Sequence, residues 1–475
     1  MKKISIKTFY LIAVISIGLI GLAVGSTYAM FTTSAEINNP ITISSNLTSN
    51  DDTMETFEVE VSPSATVTKT INISSGTVSN VNYSVWYIND ISNIDIGVSS
   101  TSYTTAGTIS NANTTVTTKI SIRNNSSTTK TVTLGVALSK NSIVLASNMS
   151  LVPQKTLSNP LATHITNLYN NSTKTNVTNN GIKYQYDITN GLMKDADGNI
   201  RYSGLGDRNY VLFNCNTYPN TSCETWRIIG TFGNKTKLIR NSSIGEYSWD
   251  NKDTSTGAKS AYGKNDWTDA RLMKLLNQGY ESETTGGSLY YNSGSGNCYS
   301  GQNNATTACD FTSTGIKNDT TRNMISDNTY SLLGWNNNSI YSNQIYEYER
   351  STGSVYTGTP TSWTGKVGLA YVSDYGYAAD LSKCTKQLGS YNDSTCASNN
   401  WMKAIITNNS TNASGWLLTH YYGDSCDTWR TYWAGNAGYS GAYYAFEVTP
   451  VLYLKYRISI NSGTGTSSDP YQISV

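Results

Sequence analysis

The chain has 475 residues, with 33 Lys and Arg against 32 Asp and Glu, and a net charge of +1 at pH 7. Charged residues make up 14% of it, where an ordinary globular chain carries about 25%, so no general field exists to gather nucleic acid or an anionic membrane surface. Aromatic residues at 11% supply core-forming area, which excludes disorder by composition. Asn, Ser and Thr stand where charges would be, the make-up of an extracellular, β-rich surface protein.

Residues 1–30 read as a signal peptide or a membrane anchor. Lys2, Lys3 and Lys7 precede an apolar run from Phe9 to Val24, and no charge falls between Thr8 and Ala35. Thr27-x-Ala29 has the small residues of a cleavage site. The apolar run is also nearly long enough to span a bilayer uncleaved. In either case the positive flank keeps the N-terminus inside, and the body is exported or N-terminally anchored outside. Gly25–Thr32 resembles exported fibre and camelysin-like proteins of low-GC Gram-positive bacteria.

Residues 37–153 read as an all-β module. Apolar residues alternate with polar ones at Phe57, Val59 and Val61, at Val81, Tyr83, Val85 and Tyr87, at Val116, Ile120 and Ile122, and at Val132, Leu134, Val136 and Leu138. A period of two marks strands with one buried face. About seven short strands with turn clusters between them suggest an immunoglobulin-like sandwich acting as a spacer. Residues 154–181 read as a connector: a short helix carrying Leu161, Ile165 and Leu168, then a polar linker from Asn170.

Residues 182–475 change character, with more Trp, Tyr and Gly and every cysteine. Two helices are expected, from Trp267 with Leu272, Leu275 and Leu276 on one face, and over about Thr320–Asn328. Strands are expected at Tyr210–Phe213, Trp226–Gly230, Lys237–Arg240, Val367–Val372, Trp416–Thr419 and Val448–Lys455. Few helices and many short strands give an α+β domain. Cys215/Cys223, Cys298/Cys309 and Cys384/Cys396 are close pairs without C-x-x-C metal spacing, so three local disulfides are expected. Loops this short would contribute roughly 2.5–3 kcal/mol each in the chain-entropy account. Cys426 is left over.

The series Asn209-Tyr210-Val211, Trp226–Gly230, Ser373–Ala378, Trp416–Thr419 and Thr449–Leu454 resembles a group of surface proteins from gut Firmicutes. The resemblance covers most of residues 160–475. It implies a C-type-lectin-like fold, shared with formylglycine-generating enzymes and with the variable proteins of diversity-generating retroelements. The group reads Val-Arg-Pro before its last strand, whereas this chain has Val448-Thr449-Pro450.

The candidate site lies in residues 416–446, which hold Trp416, Tyr421, Tyr422, Trp429, Tyr432, Trp433, Tyr439, Tyr443, Tyr444 and Phe446 among Gly, Ser, Asn and Asp. Rigid amphipathic rings with small polar residues between them are the composition of a paratope. Trp416 and Phe446 are expected in the core. The ligand-binding candidates are His420, Tyr421, Tyr422, Asp424, Asp427, Trp429, Tyr432, Trp433, Tyr439, Tyr443 and Tyr444. The run His420–Asp427 has no alternation and no helical face, and its residue types are reachable from Asn codons by changing adenines. That pattern fits adenine-directed diversification by a retroelement, and equally an ordinary loop from an AT-rich genome.

Catalysis has little to work with. Only His164 and His420 are present, and no P-loop, H-E-x-x-H or G-x-S-x-G motif occurs. Asp374, Asp424, Asp427 and Glu447 could serve a glycosidase only as a facing pair, and formylglycine generation needs two cysteines where only Cys426 lies. Asp195-Ala196-Asp197-Gly198-Asn199 has calcium-loop spacing, but Arg201 sits where a ligand would be, so a polar turn is expected and no metal or cofactor is assigned. The expected function is non-enzymatic: a cell-surface, adhesin-like protein whose partner is a glycan or a host, bacterial or phage surface protein. The alternatives are a pilus or fibre subunit and a glycan-processing enzyme.

Overall fold

The computed structural model describes residues 40–44, 52–62, 66–100, 102–124, 126, 128–157, 160–218, 221–251, 263–299 and 306–474. The N-terminal signal or anchor segment lies outside the described residues. No described helix is long and apolar enough to cross a membrane. The chain divides into two compact units, residues 1–157 and 158–475, and both are rich in β-structure.

Among its described residues the first unit has nine strands rather than about seven: β1 (Ile41–Ser44), β2 (Thr53–Val61), β3 (Thr66–Ser74), β4 (Val81–Ile88), β5 (Ile94–Val98), β6 (Ala106–Ile109), β7 (Thr115–Asn124), β8 (Lys130–Ser139) and β9 (Met149–Leu151). They form one sheet in the order β1-β3-β7-β5 and another in the order β2-β8-β4-β6, with β9 on β4. The alternating residues explain the arrangement. Val59, Val61, Val81, Val85, Val132, Leu134 and Val136 from one sheet share a core with Ile71, Ile73, Ile96, Ile120 and Ile122 from the other. On the outer side of β4, Trp86 is buried with Ala137 and Met149. Gly135 makes room for it, because a Cβ there would sit 2.2 Å from the indole.

The second unit begins with the helix Leu161–Asn171, whose buried Leu161, Ile165 and Tyr169 belong to that unit's main core. The expected connector is therefore corrected. Its helix is structural, and the expected polar linker contains the strand Thr175–Asn179, paired antiparallel with Ile182–Asp187. Asn180 and Gly181 form the turn at φ 47° and 74°, the left-handed pair a two-residue hairpin demands.

An 11-stranded sheet is the backbone of this unit. Consecutive residues of its strands enter opposite clusters: Leu192, Ile228, Leu238 and Leu452 face one core, while Met193, Ile229, Ile239 and Val451 face the other. With both faces covered, burial runs unbroken through Trp226–Thr231 and Thr236–Arg240, and the charged Arg227, Lys237 and Arg240 are buried with their neighbours. The expected strand Val367–Val372 is shorter: only Val367–Gly368 pairs, and Val372–Tyr377 is a helix. The two expected helices occupy Arg271–Leu276 and Asp319–Met324, and further short helices lie at Ser342–Glu347, Ser394–Ser398 and Trp401–Ile406. Cys215–Cys223, Cys298–Cys309 and Cys384–Cys396 are disulfide-bonded. Asp195 closes a turn. Its Oδ1 accepts from the backbone N–H groups of Asp197 and Asn199, and its Oδ2 is paired with Arg201 at 2.6 Å.

Candidate functional site

The aromatic region lies on a second, five-stranded sheet, ordered Glu246–Ser248, Ala445–Glu447, Gly415–Trp416, Asp427–Thr431, Ala437–Gly441. The last two strands form a hairpin with Trp429 opposite Tyr439 and Arg430 opposite Gly438. Alternation sends neighbouring side chains to opposite faces, so the hairpin carries two separate aromatic groups.

On the face with Trp429, the Tyr439 ring stacks on Tyr421 at 4.0 Å. Trp429 itself is fully buried, and its indole N–H donates to the Trp335 carbonyl at 3.0 Å. Trp335 stacks flat on Tyr348 at 4.0 Å and meets Tyr422 edge-on at 5.6 Å. On the other face, the Arg430 guanidinium lies 3.6 Å from the centre of the Tyr432 ring and 4.5 Å from that of Phe446. It donates to Ser440 and Ser414. Tyr444 stacks on Tyr443 at 4.2 Å.

The proposed ligand residues therefore separate. Trp433, Tyr439 and Tyr444 are exposed, at 52%, 37% and 46%. Tyr421, Tyr422, Asp424, Asp427, Tyr432 and Tyr443 are half-buried. His420 and Trp429 are buried and are corrected to framework. His420 is held because its backbone bridges Gly334 in parallel and its Nε2 accepts the Tyr356 N–H at 2.8 Å. Trp416 is core, as its indole N–H donates to Tyr247 and its ring packs on Phe446. Trp335 and Tyr348 join the site from some 80 residues upstream, beyond the reach of a composition window.

Between Tyr421 and Asp427 the chain makes a tight acidic turn. Asp424 Oδ1 accepts the backbone N–H groups of Cys426 and Asp427 at 2.8 and 2.7 Å. The side chains of Asp424, Cys426 and Asp427 bring their polar atoms within 4.8 Å of one another. Partial burial, and then the Asp424 charge, push the Asp427 carboxyl up to about 6. Asn265 braces the turn. Its backbone N–H donates to the Ser425 carbonyl and its Nδ2 to the Tyr421 carbonyl, while its Oδ1 is buried without a hydrogen bond.

A buried ionic network reaches the chain at Thr419, just ahead of this turn. Arg201 bonds Asp195 and Asp374, and Lys237 bonds Asp374. Glu349 pairs with Arg350 and accepts from the Ser373 backbone and the Thr419 hydroxyl at 3.0 and 2.6 Å. Thr419 Oγ1 in turn accepts the Val372 N–H at 2.8 Å, which fixes the residue just before His420. Burial opposes ionisation of Asp374, but Lys237, Arg201 and Arg350 overcome it and hold the carboxyl well below the usual range. Asp374 and Glu447 are both buried. Of the four candidate acids, Asp424 and Asp427 are the half-buried ones. The chain matches no protein-family profile, no curated protein and no solved structure.

Proposed function

We propose that the chain is a bacterial cell-surface, adhesin-like protein that binds a glycan or a protein through its C-terminal aromatic surface. In this reading the first unit is an immunoglobulin-like spacer and the second is C-type-lectin-like. The observation that carries it is the exposure of Trp433 and Tyr439 on a hairpin anchored by the buried Trp429, and of Tyr444 in the turn that follows it. Large rings exposed on a rigid support gain contact area with little loss of conformational freedom on binding. Three disulfides, typical of extracellular proteins, support export.

The test is a glycan array and a surface-protein array probed with the protein. The same arrays are then probed with a variant carrying Trp433→Ala, Tyr439→Ala and Tyr444→Ala. Binding lost in the variant supports the reading; equal binding by both proteins sinks it. Diversification of the turn has its own check. A reverse transcriptase gene nearby, with a template repeat differing from the DNA for residues 416–446 only at adenines, would establish it. A neighbourhood with neither leaves a fixed loop.

A further inference from the structure

We infer that a cavity beside the helix Leu161–Asn171 binds a neutral sugar, at a site separate from the aromatic hairpin. The cavity measures about 510 Å³, within the range of small-molecule sites. His164, Asn167, Leu168 and Asn171 form one wall. Their spacing of i, i+3, i+4 and i+7 makes them one continuous stripe of the helix, beside the Leu161, Ile165 and Tyr169 that enter the core. Thr189 and Asn190 face them from the turn before Gly191, and Ser172 and Thr173 complete the lining at the helix end. None of these residues belongs to the aromatic sheet, so the inference stands or falls apart from the reading above.

The walls are held in place while most of their polar groups have no partner in the chain. His164 meets Tyr471 edge-on at 5.4 Å, and the Ser172 hydroxyl closes the helix by donating to the Tyr169 carbonyl at 2.9 Å. The buried Asp187 carboxylate accepts the Asn190 backbone N–H at 3.1 Å and its Nδ2 at 2.6 Å, which leaves the Asn190 amide oxygen without a hydrogen bond. Among the described residues, the side chains of Asn167, Asn171, Thr173 and Thr189 make no hydrogen bond to the chain. Solvent serves them, and ligand hydroxyls can replace it.

That inventory selects the ligand. Amides and hydroxyls both donate and accept, as sugar hydroxyls do, and Leu168 supplies an apolar patch for the C–H side of a sugar ring. A charged ligand finds no counter-charge. Burial pushes the His164 imidazole below its ordinary value, so it is neutral at pH 7. Lys174 donates to the Asn170 and Ser172 carbonyls, and Asp187 is taken by Asn190. An extended peptide docks along a strand edge, and no lining residue lies in a strand.

The experiment is saturation-transfer NMR on the full chain with glucose and N-acetylglucosamine, and with their trimers maltotriose and chitotriose. At least one of these sugars should bind. Asn167→Ala/Asn171→Ala should weaken that binding by roughly tenfold, the loss of one or two hydrogen bonds. Neither amide bonds the chain, and Ala is the better helix former, so the variant keeps its fold. A trimer that binds more tightly than its monomer assigns the site to a glycan chain, and equal binding assigns it to a free sugar. No transfer to any of the four sugars overturns the inference, as does binding that the double Ala variant leaves unchanged. Transfer to an acetylated, amidated Gly-Ser octapeptide that is equally sensitive to the variant overturns sugar as the ligand class. Sugar binding lost in Trp433→Ala/Tyr444→Ala but kept in the helix variant overturns this inference and supports the aromatic surface instead.

Discussion

Asp374→Asn tests whether the buried ions hold up the second unit. The carboxylate is fully buried, and it accepts from Arg201 Nη1 at 2.8 Å, the Tyr371 N–H at 2.9 Å and Lys237 Nζ. An amide of the same shape keeps one acceptor and turns a donor toward donors. It also leaves Arg201 and Lys237 with one counter-charge fewer. Breaking a buried pair from one side costs about 3–5 kcal/mol, because the stranded charge cannot be rehydrated. For a unit of this size each kcal/mol moves Tm by roughly 2 °C, so a fall of roughly 6–10 °C is expected. Tryptophan fluorescence is the probe, since Trp86 is the only one of the ten tryptophans in the first unit. Burial already pulls Lys237 down to about 8 with Asp374 beside it, and without that carboxylate it falls further. A lysine whose folded value lies below its unfolded one penalises the fold at low pH, and the penalty fades as pH rises toward the unfolded value. The deficit of the variant should therefore shrink between pH 7 and pH 10. A loss below about 1 kcal/mol at pH 7 would refute the argument, because an unpaired charge in that site cannot cost so little.

The Asp427 carboxyl has a folded value of about 6, raised by burial and Asp424. Its contribution to stability is therefore complete below the unfolded value and is lost as pH rises through about 6. Asp427→Asn should remove that dependence and stabilise the turn at pH 7, measured by urea unfolding at pH 5 and pH 7. Gly135→Ala should destabilise the first unit by roughly 1–3 kcal/mol through overpacking against Trp86, read from its denaturant midpoint. Reducing the disulfides should lower the unfolding temperature of the second unit and leave the first unchanged, since no cysteine precedes Cys215. Differential scanning calorimetry with and without reductant reads both transitions.

Legibility followed the physics of each segment. In strands β2, β4, β7 and β8 the large aliphatic residues that build the shared core fall on one face, so their alternation is written in the sequence even where β7 and β8 are covered on both faces. The helix Val372–Tyr377 was not legible, because all six of its residues are buried and no period survives. Cysteine spacing gave the right pairs, since short loops can close locally. Composition found the aromatic region but not its orientation. Trp429 and Trp433 are alike as residues and four positions apart, yet one anchors on Trp335 and the other stands in solvent. Burial of His420 depends on Gly334, where a Cβ would meet the His420 carbonyl at 1.9 Å, a contact no local pattern announces.

The strand order of the first unit also sets its response to tension. β1 runs parallel to β3, and β9 runs antiparallel to β4. The connection from Ser74 to Val81 is too short to carry the chain back along the nine residues of β3, so β4 heads the opposite way. β1 and β9 therefore point in the same direction, and the chain enters this unit at one end and leaves at the other. A pull on the two ends drags each terminal strand along its own axis. Its cross-strand hydrogen bonds are then loaded together in shear, instead of being unzipped one after another. A module strung this way yields abruptly and at high force, whatever its equilibrium stability.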